Sequence, residues 1–363
     1  MASNNQYELK EILSRFNINT DIEVYGNGHI NDTYLCETAP RFILQKINTN
    51  VFNNPTDVME NIYNVTKHLS EKIKKAGGDA DRETLTVIPT KNNEIYYKNS
   101  DGACFRMYKY IENSVSYDVA EDPKILCSAG RAFGKFQKML SDFPAEKLHE
   151  TIIDFHNTPI RVKQLETAIE NNSANRLDNV KEEIEFAKRY AKYADKIVSE
   201  MALGTVPLRV THNDTKLNNV LFDEKTNDGV CVIDLDTVMS GSLLYDFGDA
   251  LRFGASSCVE DETDENKIWF DLEKFEQFAK GFLSEVKDCL TQKEIELLPV
   301  SALIMTYECG IRFLADYLNG DTYFKIHKEN HNLDRARNQF KLVEDIESKF
   351  NDMAKIVAKY VNN

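Results

Sequence analysis

The segment Thr211-His212-Asn213-Asp214-Thr215-Lys216-Leu217-Asn218-Asn219, followed by Ile233-Asp234-Leu235-Asp236, holds the residue types that phosphoryl transfer requires. A carboxylate at 214 could accept the proton of an attacking hydroxyl. An amide at 219 and a carboxylate at 234 offer hard oxygen ligands for a magnesium ion that bridges nucleotide phosphates. The spacing supports that chemistry. Val220-Leu221-Phe222 and Val230-Cys231-Val232-Ile233 are short apolar runs on either side of the polar stretch 223–229, the pattern of a β-hairpin. A hairpin brings its two ends together, so Asn219 and Asp234 are expected side by side. Singly, each of the three is a common turn or capping residue whose side chain bonds its own backbone. Jointly, with the hairpin between them, they read as a general base and two metal ligands.

Other elements must position these groups. Residues 22–26, 33–37 and 42–47 are short strand candidates punctuated by Gly, Asn and Pro, and the first two flank Tyr25-Gly26-Asn27-Gly28-His29-Ile30-Asn31. Glycines there would let backbone N–H groups approach phosphates, which makes Gly26 and Gly28 candidate nucleotide contacts; a tight hairpin turn uses the same residues. Val58, Ile62, Val65, Leu69 and Ile73 predict a helix over 55–75. Strand character returns at 85–88, 94–97 and 104–110. Beyond Tyr110 the pattern becomes helical, over about 123–140, 180–200, 272–286, 292–318 and 334–360. Thr291 with Glu294 forms a capping-box signature, and Asp122 before Pro123 marks another helix start. Residues 170–179 read as a solvated connector. The expected fold is α+β and bilobal, like a protein kinase: a small β-rich nucleotide-binding lobe over 1–112 and a larger, mainly helical lobe over 113–363. A hinge near Tyr110 would touch the nucleotide.

Composition narrows the function. The 363 residues are 42% hydrophobic and 28% charged, ordinary for a globular protein of about two domains. A net charge of -15 argues against nucleic-acid binding, which draws on cationic side chains. It does not exclude ATP, because magnesium and local donors set the field in a pocket. Seven cysteines lie scattered without ligand-like spacing and are expected as reduced thiols. No basic-then-apolar leader and no bilayer-length apolar run is evident, so the expectation is a cytoplasmic protein with no membrane association and no obligate protein partner.

The His-x-Asp-x4-Asn and Ile-Asp-x-Asp pattern resembles the aminoglycoside phosphotransferase and choline kinase superfamily. Within it, Gly28-His29-Ile30-Asn31, Ile43-Leu44-Gln45, Ser114-Val115-Ser116-Tyr117, the loop 210–221, the segment 233–255 and the run from Tyr307 to Leu318 look like the N-acetylhexosamine 1-kinases, in order along nearly the whole chain. That resemblance implies ATP- and Mg-dependent phosphorylation of the anomeric hydroxyl of N-acetylglucosamine or N-acetylgalactosamine. It implies Asp214 as general base toward O1, Asn219 and Asp234 as Mg ligands, and His29, Phe253, Arg312 and Tyr323 as sugar contacts. Arginine and histidine can hydrogen-bond sugar hydroxyls or an acetamido carbonyl, and an aromatic face can cover a pyranose ring. Arg312 also lies one helical turn after Glu308 and could simply pair with it.

One position departs from the superfamily. Gln45 stands on the third strand where a basic residue usually holds the phosphates, and Lys46 should point to the opposite face. Either Gln45 serves as a neutral donor or the phosphates lean on Mg and loop amides; Glu60 then lacks a lysine partner. Asp246-Phe247-Gly248 matches a protein-kinase metal motif, yet it follows Asp214 by 32 residues without the hairpin context, so Asp246 is expected to anchor backbone. Kinases of homoserine, choline or methylthioribose are the nearer alternatives, and a binding-only pseudokinase is the contrasting class.

Overall fold

Leu9, Ile12 and Leu13 recur at the spacing of one helical face. In the computed structural model, which describes residues 2–26 and 31–362 with side chains from Leu9 onward, they are the buried side of α1 (Ala2–Arg15). This helix is an addition to the sequence reading, which expected a single helix in the first hundred residues. The strands β1 (Ile22–Val24), β2 (Asp32–Cys36) and β3 (Phe42–Ile47) follow where alternation places them. Helix α2 (Pro55–Lys75) matches its predicted bounds. Asn54 caps it by accepting from the Thr56 N–H, Pro55 sits in the first turn, and the stripe from Val58 to Ile73 is buried.

The short α3 (Ala80–Glu83) leads to β4 (Tyr97–Lys98) and β5 (Cys104–Lys109). The sheet is antiparallel in the order β1-β2-β3-β5-β4, and Gln45 of β3 lies directly opposite Arg106 of β5. Leu9, Ile12, Leu13 and Phe16 pack with Cys36, Leu44, Phe105 and Met107, so α1 closes the core of this sheet. Residues 85–88 differ from expectation. They make one bridge, Val87 to Tyr108, with backbone bonds to Met107 and Lys109, and do not extend into a strand. At 94–97 only Tyr97 pairs, because Asn93 with positive φ turns the chain sharply just before.

Further along come β6 (Ser114–Val115), α4 (Pro123–Met139), α5 (Thr158–Asn171), α6 (Lys181–Tyr190), α7 (Lys196–Ala202) and β7 (Arg209–Thr211). The single helix predicted over 180–200 is thus divided, with a 3-10 turn Ala191–Tyr193 between α6 and α7. The predicted hairpin forms as β8 (Val220–Asp223) and β9 (Gly229–Val232), joined with β6 in one sheet. Asp223 holds its turn by accepting from the N–H groups of Lys225 and Thr226, and Arg82 ties Asp223 to the carbonyls of Glu112 and Asn113. The chain continues through β10 (Met239–Gly241), α8 (Leu243–Gly254), α9 (Leu272–Val286), α10 (Gln292–Asn319) and α11 (His331–Val361).

Two compact units result. The first is Met1–Val115 with Asp142–Ile153 and Leu221–Met239; the second is Ser116–Ser141, Asp154–Val220 and Ser240–Asn363. The hairpin therefore belongs with the five-stranded sheet although it follows much of the helical part in sequence. In the second unit α8 is buried around its circumference, and its polar stripe Asp246, Asp249 and Arg252 is buried with the rest, so no side of the helix meets solvent. Helix α10 starts at the Thr291–Glu294 capping box. It corrects the expectation that no apolar run is of bilayer length: by length and composition it qualifies. Its apolar surface is instead buried against α5, α8 and α11.

Helices α4 and α9 cross at their glycines. A Cβ on Gly281 would overlap the carbonyl of Cys127, and one on Gly130 would crowd the carbonyl of Phe278. Gly281→Ala should therefore destabilise the fold by about 1–3 kcal/mol through overpacking, despite its gain in helix propensity. A chemical denaturation midpoint equal to that of the parent protein would contradict this crossing.

Candidate active site

Strand β7 ends at Thr211, and the chain then runs through a buried loop to a 3-10 turn at Leu217–Asn219. One carboxylate shapes this loop. Asp246, in the first turn of α8, accepts from the N–H of His212 at 2.9 Å through Oδ2 and from the N–H of Asn213 at 2.8 Å through Oδ1. Gln137 of α4 donates to Asp246 at 2.6 Å and also to the Val210 carbonyl. Burial pushes the Asp246 carboxyl upward, opposed by His212 and these donors. Asp246 thus anchors backbone, as its position in the sequence suggests.

The next carboxylate on α8 continues the arrangement. Asp249 accepts from the Thr215 N–H at 3.0 Å and pairs with Arg252, which also binds Glu260. Burial would raise its carboxyl, but Arg252 and other cations hold it below the ordinary value. Asn213 adopts a positive φ of 65°, so the loop reverses just before Asp214. The Asp214 N–H donates to Nδ1 of buried His212 at 3.2 Å, and the His212 ring meets Phe133 and Phe136 edge-on.

Asp214 itself pairs with Lys216 at 3.0 Å and receives Nδ2 of Asn219 at 3.3 Å. Burial would lower the Lys216 ammonium, but Asp214 and then Asp249 more than offset this and leave it raised. Asn219 Nδ2 also donates to the Asp214 carbonyl at 2.8 Å. With its nitrogen engaged in this way, the Asn219 oxygen is the atom presented for a hard cation, which fits the donor preference of magnesium. In the first unit, Asp234 follows β9 in the left-handed region, φ 59° and ψ 55°, and begins the buried 3-10 turn Leu235–Thr237. The oxygen donors at 219 and 234 suit magnesium in kind, and β8 and β9 are neighbours in one sheet.

Of the expected acceptor contacts, Phe253 and Arg312 lie in the second unit with Asp214. The Phe253 ring is 5.8 Å from the Lys216 ammonium and 3.9 Å from the Arg252 guanidinium. Arg312, half-buried on α10, stands among three aromatic rings: Phe155 at 5.4 Å, Phe324 at 5.5 Å and Tyr323 at 5.9 Å. Tyr323 is 66% exposed. Glu308 has other hydrogen-bonding partners: His156 at 2.8 Å and Thr158 at 2.6 Å. His156 also bonds the Asn213 carbonyl at 3.3 Å and packs beside Phe155, so it links the catalytic loop to the aromatic group around Arg312. His29 and Gly28 lie outside the described residues.

On the nucleotide side, Gly26 has a positive φ of 71° with open space around its Cα, as a tight loop entry requires. Tyr110 hydrogen-bonds Tyr25 through the two hydroxyls at 3.2 Å, and Arg41 covers its ring at 4.1 Å. Burial, then the Tyr25 hydroxyl, pushes the Tyr110 phenol up to about 12. Gln45 donates to Thr33 Oγ1 and accepts from Arg106 Nε, both at 3.0 Å. Arg106 forms a buried ion pair with Asp236.

Sequence reasoning missed Lys216, His156, Asp249, Arg106 and Asp236. Arg106 had a readable signal: a charge in the middle of the otherwise apolar Cys104-Phe105-Arg106-Met107-Tyr108. His156 had none, because its partners are 57 and 152 residues away.

Residues 21–274 match the phosphotransferase enzyme family. Solved structures share the fold at low identity. A microcompartment-associated aminopropanol kinase superposes with a TM-score of 0.61 at 15% identity, covering 96% of this chain and 98% of that one. An aminoglycoside phosphotransferase from Alicyclobacillus acidocaldarius gives 0.61 at 10%, covering 96% of each chain. A choline/ethanolamine kinase family protein from Mesorhizobium loti gives 0.56 at 14%, covering 99% of each.

The Glu308 carboxyl makes a pH prediction. Burial would raise it, but His156, then the Arg312 charge and the Thr158 hydroxyl, hold it below the ordinary value of 4.5. The unfolded chain then binds the proton more readily, so this contribution is present above pH 4.5 and fades as pH falls below it. Glu308→Gln should cost about 1.5–3 kcal/mol at pH 7. In paired denaturation curves from pH 7 to 3, the gap between variant and parent should narrow below pH 4.5; a constant gap would assign Glu308 a packing role only.

Proposed function

Because the chain belongs to the phosphotransferase enzyme family, we propose that it is an ATP- and Mg-dependent small-molecule kinase. Its acceptor in this reading is an N-acetylhexosamine, phosphorylated on O1 to the sugar 1-phosphate. The observation that carries the catalytic part is the Asp214 loop: a carboxylate held by Lys216 and Asn219 on backbone that Asp246 fixes. Asp214 accepts the proton of the O1 hydroxyl as that oxygen bonds the γ-phosphorus and the bond to the β-phosphate oxygen breaks, releasing ADP. Magnesium, when bound, neutralises charge on the phosphate oxygens; Asn219 Oδ1 and the Asp234 carboxylate would hold it. Gly26 and Gly28 would approach the phosphates by backbone, and Tyr110 would lie against the nucleotide base. The seven cysteines are free and mostly buried, in keeping with a cytoplasmic setting.

The acceptor assignment rests on the surroundings of Arg312. A guanidinium among Phe155, Tyr323 and Phe324 offers donors for hydroxyls or an acetamido carbonyl beside rings that cover an apolar sugar face. Arg161 lies close enough that Arg312, after burial itself, depresses its guanidinium. Two neighbouring cations disfavour choline, whose quaternary ammonium calls for an aromatic cage without like charge.

Phosphorus NMR of the protein with ATP, Mg and each N-acetylhexosamine tests the reaction and its position together. A sugar 1-phosphate with ADP is expected; untouched ATP with both sugars would reject the acceptor and turn the assay to homoserine and methylthioribose. Asp214→Asn should lower kcat by roughly 10²–10⁴-fold, and a folded variant with parental turnover would remove the base. Arg312→Ala should raise KM for the sugar about tenfold or more while KM for ATP stays within twofold, consistent with loss of a charge-assisted hydrogen bond; the reverse pattern would move Arg312 out of the acceptor site.

A further inference from the structure

The five-stranded sheet buries a guanidinium where the sequence placed only an amide. Arg106 of β5 and Gln45 of β3 are cross-strand partners, so their side chains share one face of the sheet. Arg106 donates to Gln45 Oε1 through Nε and to Asp236 Oδ1 through Nη1. Arg106 is 1% exposed and Asp236 5%. The other Asp236 oxygen accepts from Asn31 Nδ2 at 2.6 Å, and Asn31 Oδ1 accepts from the N–H of Asn48, the residue after β3. Strands β3 and β5, the chain entering β2, and the 3-10 turn after Asp234 therefore converge on one carboxylate.

A buried ion pair is poor evidence for stability, since apolar replacements of similar volume often serve as well. What this pair does is positional. Asp234 adopts the left-handed conformation, which aspartate tolerates better than most residues. The turn that follows is held from β5 by Arg106, from the loop side by Asn31, and by packing against α2. Burial opposes the Arg106 charge, and Asp236 and, further down, Asp234 more than offset it, so the field of the guanidinium reaches Asp234.

We propose that Arg106 is the positioning residue of the metal side of the reaction: through Asp236 it fixes the turn that presents Asp234. This rests on the phosphotransferase reading above. Gln45 then serves as the spacer that orients the guanidinium.

The test measures calorimetric binding of ADP with and without Mg, and the Mg dependence of turnover, in the parent protein, Arg106→Met, Arg106→Lys, Asp236→Asn and the double variant Arg106→Met with Gln45→Lys. Arg106→Met is expected to weaken Mg·ADP binding, and to raise the Mg concentration for half-maximal turnover, about tenfold or more. ADP binding without Mg and KM for the acceptor should stay within twofold. Arg106→Lys should retain most of the affinity, and Gln45→Lys, which returns a cation to the same face one strand away, should recover part of the loss. Mg·ADP affinity and Mg dependence unchanged in folded Arg106→Met would overturn the proposal, as would equal loss with and without Mg. If Arg106→Met does not fold, Asp236→Asn decides it, because it keeps the volume and removes the charge; parental Mg dependence in folded Asp236→Asn is the overturning result. A parent protein that binds Mg·ADP but phosphorylates no acceptor would remove the acceptor assignment alone, and the affinities would still decide the role of Arg106.

Discussion

Two oxygens of one buried carboxylate set the geometry of the catalytic loop. Asp246 takes the consecutive N–H groups of His212 and Asn213, a grip that fixes peptide orientation as well as position. The chain can then reverse at Asn213 in a left-handed conformation and project Asp214 away from the core. Everything around the carboxylate serves that grip: Gln137 satisfies it from α4, Thr215 bonds its backbone carbonyl, and Asp249 one turn later on α8 holds the N–H of Thr215. The loop thus has almost no backbone freedom, although it contains no regular secondary structure beyond its final 3-10 turn. Such rigidity would suit the general base proposed at Asp214, since proton transfer tolerates little misplacement.

The first unit solves a parallel problem with charge of both signs. There the turn after β9 is short and the residue to be presented, Asp234, is itself anionic. A backbone-only grip would leave the neighbouring Asp236 carboxylate buried without a cation. Arg106 and Asn31 satisfy it instead. Each unit thus fixes a candidate carboxylate, Asp214 or Asp234, through a second, buried one, Asp246 on α8 or Asp236 two residues on. They differ in whether peptide dipoles or a guanidinium balance the buried charge.

Much of this was legible in the residues. The hairpin around Asp223, the helix from Pro55 to Lys75, the capping box at Thr291 and the anchoring part of Asp246 follow from local rules of alternation, periodicity and capping. The misses have a common cause. Helix α8 buries its polar residues Asp246, Asp249 and Arg252 along with its apolar ones, so no solvent-facing side marks it; α1 shows only Leu9, Ile12 and Leu13 after a polar start. The segment 85–88 has strand composition but meets its neighbour at a single bridge. Long-range polar pairs such as His156 with Glu308, or Arg106 with Asp236, cannot be read from spacing because their geometry exists only once the sheet and helices are assembled. The chemical alphabet was visible, but the partners that aim it were not.

Past the end of α10, Asp316 gathers the N–H groups of Thr322, Tyr323 and Phe324 with its two oxygens and takes a further bond from Asn332. The backbone of this stretch is thereby defined by a residue outside it, in the last turns of α10. Tyr323 and Phe324 contribute only rings to their surroundings, so their replacement leaves the path of the main chain intact. Side chains at 322–324 can therefore change while the Asp214 loop, held by α8, keeps its form. The surface near Arg312 and the backbone around Asp214 are in this way built by separate anchors, Asp316 and Asp246.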